Sequence, residues 1–350
     1  MLTKLLETIR PLDENAMESA RLHWDAIAKP LHSLGRLEDM IVQLAGICEN
    51  PVPAPRKKAV LIFCADNGIV AEGVTQTTQD VTAAVTQNFA KGIASVNALS
   101  RICGAEVFPV DIGVAQALDC PGVLNRKVAF GTQNFAHGPA MRRDEAEQAV
   151  CTGIDLVQEK AAEGYNLIVT GEMGIGNTTT SSAVFSVLQG LPPEQVTGRG
   201  AGLSDAGLQH KIQVISRAVA ALQPDPGDVL DVLSKVGGFD VCGMMGAFLG
   251  GAICRVPVLV DGFISAVAAN CAVRLCPACR DYIFASHCSK EPAGIMALDA
   301  LHLRAYLDCE MCLGEGTGGV IAAKLFDFAL AAYDEIAGFD AVGIDPYQPL

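Results

Sequence analysis

The chain has 350 residues, of which 50% are hydrophobic, 18% charged and 5% aromatic, and its 25 Lys and Arg against 39 Asp and Glu give a formal net charge of −14. This hydrophobic content excludes wholesale disorder, and the length predicts about two domains or one large α/β domain with an appendage. The acidic balance excludes nucleic acid as the main partner, because binding to a phosphate backbone depends on Lys and Arg.

The first fifty residues predict two helices and a connector. Asp13 is a candidate N-cap for a helix that runs to about Ala28, and a second helix is predicted over residues 34–48. A stiff connector then follows, which we predict to be a domain boundary. It is marked by Pro51, Pro53 and Pro55.

Neither the amino terminus nor the most hydrophobic region predicts export or membrane insertion. Glu7 and Arg10 interrupt the apolar residues of the amino terminus, which is not typical of a secretory signal. Arg255 and Asp261 divide residues 241–273 into pieces shorter than the ~18 apolar residues of a membrane span. Thirteen cysteines without a signal predict reduced thiols. We therefore predict a cytoplasmic protein with no membrane partner.

Beyond the connector, short apolar runs alternate with amphipathic segments and predict five strands. The runs cover residues 60–64, 107–112, 167–170, 256–260 and 282–285. Near-continuous apolar strands with helices between them are typical of a parallel sheet that is covered on both faces. The sequence therefore predicts the α/β class.

The predicted strands are followed by polar residues at several of their carboxyl ends. In open α/β sheets ligands bind beyond these ends, so their clustering predicts a cleft there. The residues are Asp66, Asn67, Asp111, Glu172, Asp261 and Ser286.

The strongest local signal is the segment GEMGIGNTTT at residues 171–180, between a predicted strand and a helix predicted from about Thr178. Glycines allow close approach of the backbone to a ligand, and the free N–H groups of a helix N-terminus favour an anion. The segment lacks the Gly-Lys-Ser/Thr of a P-loop and the third glycine of a dinucleotide fingerprint. It favours a phosphate site over a glycine-rich turn with a threonine cap.

Two further glycine loops lie at residues 198–203 and 313–319. The first precedes a helix that carries Lys211. Taken alone, a lysine there is typical of a solvated helix face, but Lys211 or Arg199 could supply the positive potential that an anionic substrate needs in an acidic protein. In the second loop Glu315 stands between two glycines, as expected for a carboxylate held in a site, for example as a general base.

Two cysteine pairs have the CxxC spacing of zinc ligands. A long segment that is predicted to be helical separates the pairs, and other cysteines lie in apolar stretches where a thiol packs as a small hydrophobe. The histidines show no metal-ligand spacing. We predict no metal and no cofactor. The pairs are Cys276 with Cys279 and Cys309 with Cys312.

Taken in order, these segments resemble one known family. The strings ADNGIVAEGVTQ, GEMGIGNTTT, GRGAGL, VDGFISAVAA and LGEGTGG follow the segment KPLHSLGRLE at residues 29–38. Their ordered combination, over about residues 12–333, resembles the nicotinate-nucleotide–dimethylbenzimidazole phosphoribosyltransferase family, which assembles the lower ligand of cobalamin.

The resemblance implies a Rossmann-like, mainly parallel sheet with helices on both faces. It implies an α/β core over residues 56–318, a small helical subdomain built from residues 1–55 and 319–350, and a homodimer. It also implies a reaction in which nicotinate mononucleotide gives its phosphoribosyl group to 5,6-dimethylbenzimidazole or a related base, forming an α-riboside 5′-phosphate and nicotinate.

The resemblance also assigns site residues. Glu315 matches the family's catalytic glutamate and is expected to be the general base, and Glu172 matches its second site carboxylate. The other matching positions are expected to bind substrate: Gly174, Gly176, Asn177, Thr178 and Lys211 around the phosphate and ribose, with Gly200, Gly202, Asp261 and Ser289 at further donor positions.

The acceptor segment departs from the family pattern. Thr77 and Thr78 stand where the family often has a Tyr-Pro pair, which removes an aromatic wall for a flat acceptor and adds hydroxyls. Thr78 and Gln87 are expected to face the acceptor. Its identity stays open among 5,6-dimethylbenzimidazole, another benzimidazole, a purine and a phenol.

Two other functions fit the same residues. A nucleoside phosphorylase or hydrolase would share the glycine loops and a glutamate near C1′. A nucleotide-binding sensor would keep the phosphate site without turnover, but it would have no reason to keep Glu315 at the reacting centre.

Overall fold

A parallel sheet of six strands lies at the centre of the computed structural model, which describes residues 2–53 and 57–347. The strand order is β3-β2-β1-β4-β5-β6, and every pair is parallel. This is the order of a doubly wound Rossmann sheet, in which ligands bind beyond the carboxyl ends of the strands, where the order reverses. The predicted fold class is confirmed. The strands are β1 (Lys58–Ala65), β2 (Ala105–Gly113), β3 (Leu124–Asn125), β4 (Leu167–Met173), β5 (Val258–Leu259) and β6 (Ile283–Phe284).

Helices connect the strands and precede and follow the sheet. Two of them are short 3₁₀ helices, at Gly68–Glu72 and Pro277–Tyr282. The α-helices are α1 (Leu2–Leu6), α2 (Glu14–Ala26), α3 (Arg36–Cys48), α4 (Asp80–Ala90), α5 (Ser95–Cys103), α6 (Arg143–Ala162), α7 (Asn177–Gln189), α8 (Pro193–Val196), α9 (Asp205–Leu222), α10 (Val229–Val236), α11 (Phe239–Cys254), α12 (Phe263–Leu275), α13 (Gly294–Asp299), α14 (Thr317–Glu335) and α15 (Phe339–Val342).

Helices pack on both faces of the sheet. Successive side chains of a strand point to opposite faces, and those of β1 are all buried. Phe63 packs against Gly243 of α11, whereas Val60 packs against Gly316 at the start of α14. Helix α11 also packs on α6, and α14 packs on α3 and α5. Burial on both faces explains why β1 is an unbroken apolar run.

The predicted elements are found, with differences at their ends. Asp13 caps α2, accepting hydrogen bonds from the amides of Asn15 and Ala16. Strand β4 continues to Met173, so the prediction that the loop begins at Gly171 is wrong: pairing with β1 extends the strand through Glu172. The predicted strands 256–260 and 282–285 shorten to two residues each, and the two-residue β3 was not predicted.

The terminal segments contact each other. The amide of Ala28 donates to the carbonyl oxygen of Ala337 at 2.8 Å, and the Tyr333 hydroxyl donates to Pro51 at 2.7 Å. The division of the chain at residues 55 and 319 stays a prediction. Pro55, the last proline of the predicted connector, lies outside the described residues.

The CxxC pairs differ in environment. Cys279 is buried and donates to the carbonyl of Phe248 at 3.2 Å, whereas Cys309 and Cys312 are exposed. Among residues 2–53 and 57–347, no group of three or more His, Cys, Asp or Glu could hold a metal ion. No helix in these ranges has the length and apolarity needed to cross a membrane.

Helices α6 and α11 touch backbone to backbone, which generates a stability prediction. A Cβ on Gly153 would overlap the carbonyl oxygen of Gly243. We expect Gly153→Ala to lower the free energy of unfolding by about 1–3 kcal/mol, because the helices must separate to admit the methyl group. Gly138→Ala, where nothing lies within 4 Å of the added Cβ, is the matched control. Equal urea midpoints for the two variants would contradict this account.

Candidate active site

A cavity of about 220 Å³ lies beyond the carboxyl ends of β4, β5 and β6. All three glycine loops contribute to its lining, together with residues that follow the 3₁₀ helix after β1. We call this cavity the cleft. Its wall is formed mainly by residues 74–77, 172–178, 199–203, 261–265 and 312–315, with His287, Ser289 and Glu291.

Most of the residues that the sequence nominated meet at the cleft. Lys211 does not line the cleft itself but donates a hydrogen bond to Thr178, which does. Thr78 and Gln87 lie outside the lining, whereas Thr77 belongs to it. The nominated residues in the lining are Glu172, Gly174, Gly176, Asn177, Thr178, Gly200, Gly202, Asp261, Ser289 and Glu315.

One end of the cleft is built for an anion. Gly176, at φ +92°, turns the chain so that the N-terminus of α7 faces the cleft. Lys211 on α9 is only 1% exposed, and its Nζ donates to Thr178 Oγ1 at 2.8 Å and to the carbonyl of Gly198 at 3.1 Å. The prediction from its sequence position alone, that Lys211 lies on a solvated helix face, is therefore wrong. Burial lowers the pKa of Lys211 to about 8, so the ammonium still predominates at pH 7.

Glu172, the penultimate residue of β4, is a buried carboxyl group. Its Oε2 accepts a hydrogen bond from Asn177 Nδ2. Burial, followed by the charges of Asp240 and Asp261, raises its pKa to about 8. Glu172 is therefore mostly protonated at pH 7.

Sequence reasoning missed Asp240, which is fully buried at the start of α11. Burial raises its pKa to about 7, while the Val241 amide, which donates to Oδ1 at 2.9 Å, and the nearby side chains of Asn67 and Asn177 favour the carboxylate. A lone acid in the otherwise apolar run 239–254 was the available signal. Asn177 therefore lies near two carboxyl groups beneath the cleft, those of Asp240 and Glu172.

Glu315 has a left-handed backbone, at φ +62°, between Gly314 at φ +84° and Gly316 at φ +86°. This conformation is costly for a residue with a side chain and must be imposed by its surroundings. Burial raises the pKa of Glu315, and the Val96 amide at the start of α5 opposes this shift. Its Oε2 is buried and has no hydrogen-bond partner in the described part of the chain. Glu315 therefore offers a free basic oxygen.

Asp261 holds the loop that carries Glu315. Its Oδ2 accepts from the amide of Gly316 at 3.1 Å and its Oδ1 from that of Gly319 at 3.0 Å. Ser286, after β6, donates to the Asp261 carbonyl at 2.8 Å. These bonds link the ends of β5 and β6 to the N-terminus of α14.

His287 also lines the cleft, although no function was predicted for it. It is buried, with Nδ1 3.1 Å from Ser286 Oγ. A Cβ on Gly318 would overlap its ring, so glycine is needed there. Burial raises the pKa of Asp261, and the nearby His287 counters that shift.

Not every polar residue at a strand end reaches the cleft. Asp111 on β2 pairs with Lys127 at 2.9 Å, and Asp66 accepts from the amide of Ala115 at 2.8 Å. Neither aspartate lines the cleft, and neither do Asn67 and Ser286. The prediction that all six residues share a cleft is therefore wrong for these four. The two aspartates hold the segments that follow β2, whereas Asn67 and Ser286 donate to the carbonyls of Ile175 and Asp261.

Comparison with known proteins identifies relatives of the whole chain. A family model described as DBI_PRT, phosphoribosyltransferase, matches residues 9–344. A nicotinate-nucleotide–dimethylbenzimidazole phosphoribosyltransferase of Acetivibrio thermocellus is 48% identical over 349 residues, covering 100% of this chain and 99% of the relative. A protein of the same name from Ruminiclostridium cellulolyticum is 48% identical over 99% of this chain and 98% of the relative. The crystal structure of CobT from Thermus thermophilus has a TM-score of 0.90 at 40% identity, covering 95% of this chain and all of that one (100%).

The raised pKa of Glu172 predicts a pH-dependent stability. The folded protein holds a proton that the unfolded chain releases between the ordinary value of 4.5 and about 8. The stability that this proton contributes to the folded state is complete below pH 4.5. The free energy of unfolding then falls by at most about 1.4 kcal/mol per pH unit, and the contribution is lost as the pH rises through 8. We therefore expect Glu172→Gln to gain stability relative to the parent protein as the pH rises.

Urea unfolding at pH 5, 6.5 and 8 measures this difference. The exposed Glu194→Gln is the control, and its stability should follow that of the parent protein at each pH. A Glu172→Gln curve parallel to that of the parent protein would contradict the assignment.

Proposed function

Because this chain belongs to the nicotinate-nucleotide–dimethylbenzimidazole phosphoribosyltransferase family, we propose that it transfers the phosphoribosyl group of nicotinate mononucleotide to 5,6-dimethylbenzimidazole or a related base. The products are nicotinate and an α-riboside 5′-phosphate, in assembly of the lower ligand of cobalamin. One observation carries the proposal. The same cleft contains the positive N-terminal end of α7, beside Lys211, and the carboxyl group of Glu315, whose Oε2 has no partner in the described part of the chain.

In this proposal the donor phosphate binds at the N-terminus of α7. Helix N–H groups and the positive end of the helix dipole favour an anion, and the Lys211 ammonium adds a full charge. Gly174 and Gly176 allow the loop before α7 to pack closely: a Cβ on Gly174 would overlap the carbonyl oxygen of Ala65, and one on Gly176 would lie 2.8 Å from Val70 Cγ2. Gly200 and Gly202 also line the cleft, with Gly200 directly beside Thr178.

The chemistry requires one base and no acid. The pyridinium ring of the donor leaves with the electron pair of the C1′–N bond, so the ring becomes neutral and the product is the nicotinate anion. A ring nitrogen of the acceptor forms the new bond to C1′, and the acceptor loses its N–H proton. Glu315 takes this proton on its free oxygen, because a carboxylate whose pKa is raised by burial is a better base.

Glu172 stabilises the positive charge that develops at C1′. Burial and the charges of Asp240 and Asp261 raise its pKa. The pyridinium ring of the donor brings a positive charge that favours the carboxylate, so we expect Glu172 to release its proton as the donor binds.

The acceptor wall includes Thr77, which lies in the cleft lining. Thr78 is exposed and Gln87 lies on α4. We propose that these residues contact the acceptor when it binds, and that its class is a benzimidazole. From the family resemblance we also propose a cytoplasmic homodimer whose substrates are small molecules.

The test is an incubation of the protein with nicotinate mononucleotide and a panel of benzimidazoles, adenine and phenols. Mass spectrometry should detect free nicotinate and a new riboside phosphate. Release of nicotinate without an acceptor would favour a hydrolase, and release that requires inorganic phosphate would favour a phosphorylase. Binding without turnover would favour a sensor.

Glu315→Gln removes the proposed base while keeping the shape of the side chain. We expect turnover to fall by about 10²-fold or more, since the proton of the acceptor then has no nearby recipient. Steady-state release of nicotinate measures this change. Glu310→Gln, an exposed change on the same loop, should leave turnover intact. Unchanged turnover in Glu315→Gln would remove Glu315 from the mechanism.

The pKa of Lys211 predicts how donor binding depends on pH. Its charge is lost as the pH rises through about 8, so the KM for nicotinate mononucleotide should rise between pH 7 and 9. Lys211→Ala should raise the donor KM at pH 7 and remove most of this pH dependence. Lys290→Ala, which alters an exposed lysine, is the control. If Lys211→Ala changed only the acceptor KM, Lys211 would belong to the acceptor site and the proposed donor phosphate site would be wrong.

A further inference from the structure

A third glutamate, Glu291, lines the cleft beside Lys211 and has no part in the chemistry described above. The nearby amide of Gly200 favours its ionised form. Its Oε2 is buried and finds no hydrogen-bond partner among residues 2–53 and 57–347. A Cβ on Gly198 would overlap this oxygen, so the glycine loop is shaped around the carboxylate.

A buried carboxylate oxygen without a donor costs free energy. The Lys211 ammonium lies too far from it for an ion pair, and its Nζ donates to Thr178 and Gly198. Burial raises the pKa of Glu291, while the charge of Lys211 favours its ionised form. Oε2 itself packs against Gly198, whereas the residue as a whole lines the cleft. A rotation of the carboxyl group would turn this unpartnered acceptor toward a bound ligand.

The donor nucleotide offers few groups that could supply this bond. Its phosphate oxygens and nicotinate carboxylate are ionised at pH 7, accept hydrogen bonds and are repelled by Glu291. The 2′ and 3′ hydroxyls of the ribose are its only strong hydrogen-bond donors. In the proposed function the phosphate binds beside Lys211 and C1′ faces Glu315. The ribose then occupies the part of the cleft between these two residues, which Glu291 also lines.

We propose that Glu291 accepts a hydrogen bond from a ribose hydroxyl of the donor and thereby selects ribonucleotides over deoxyribonucleotides. This inference rests on the proposed function for the identity of the donor. It extends that function to sugar specificity, because a site built to bind a hydroxyl leaves its buried acceptor unpaired when the hydroxyl is missing.

The experiment compares nicotinate mononucleotide with its 2′-deoxy and 3′-deoxy analogues. We expect the parent protein to prefer the ribonucleotide over at least one analogue by about 10²-fold or more in kcat/KM. In Glu291→Ala this preference should fall below about tenfold, because the acceptor that distinguishes the sugars is gone. Glu194→Gln, which changes an exposed glutamate, should keep the parent ratio.

The ratio separates sugar reading from a structural role. If Glu291 only held Lys211 or the loop in place, Glu291→Ala would slow all three donors equally, and the unchanged ratio would overturn the proposal. Use of both deoxy donors by the parent protein within about threefold of the ribonucleotide would overturn it as well. Thermal unfolding checks that Glu291→Ala is folded. If it is not, Glu291→Gln replaces it: this variant keeps one oxygen acceptor, so its preference for the ribonucleotide should lie between that of the parent protein and a preference of one.

The same comparison can be made without turnover. Calorimetric binding of the three nucleotides in the absence of an acceptor gives the sugar preference directly. A parent protein that never releases nicotinate would count against the proposed function, while its binding ratio would still decide whether Glu291 reads the ribose.

Discussion

The cleft depends on one buried carboxylate, that of Asp261, and on the two amides that it binds. Helix α14 begins at Thr317, and its first N–H groups have no partners within the helix. Asp261, at the end of β5, takes the amides of Gly316 and Gly319, so the start of the helix is fixed to the sheet. Glu315 therefore adopts a left-handed backbone that few residues tolerate. The position of the Glu315 carboxyl group is therefore set by the sheet, through Asp261.

Charge in the cleft is arranged against the overall field of the protein. The net charge of −14 repels an anionic nucleotide, and five acids, Glu172, Asp240, Asp261, Glu291 and Glu315, lie in or beneath the cleft. Burial raises the pKa of each, so the cleft carries less negative charge than its composition suggests. In the proposed function, Lys211 and the N-terminus of α7 supply a local positive end, which separates phosphate binding from the base chemistry.

The sequence was most informative where a local pattern determines structure. Apolar runs predicted the main strands, the Asp13 cap predicted the start of α2, and glycine loops predicted most of the cleft lining. It was least informative where distant elements decide the outcome. Pairing with β1 extends β4 through Glu172, and burial of Lys211 follows from packing against Thr178 and Gly198, distant in the chain. Asp240 and Glu291 belong to no motif, so only the fold places them near the cleft.

The most direct test of this account is a crystal structure of the protein with nicotinate mononucleotide and 5,6-dimethylbenzimidazole bound to an inactive Glu315→Gln variant. The account predicts the phosphate at the N-terminus of α7, beside Lys211, and the acceptor ring with a nitrogen within hydrogen-bond distance of residue 315. A phosphate bound instead at the N-terminus of α14, or an acceptor out of reach of residue 315, would contradict it.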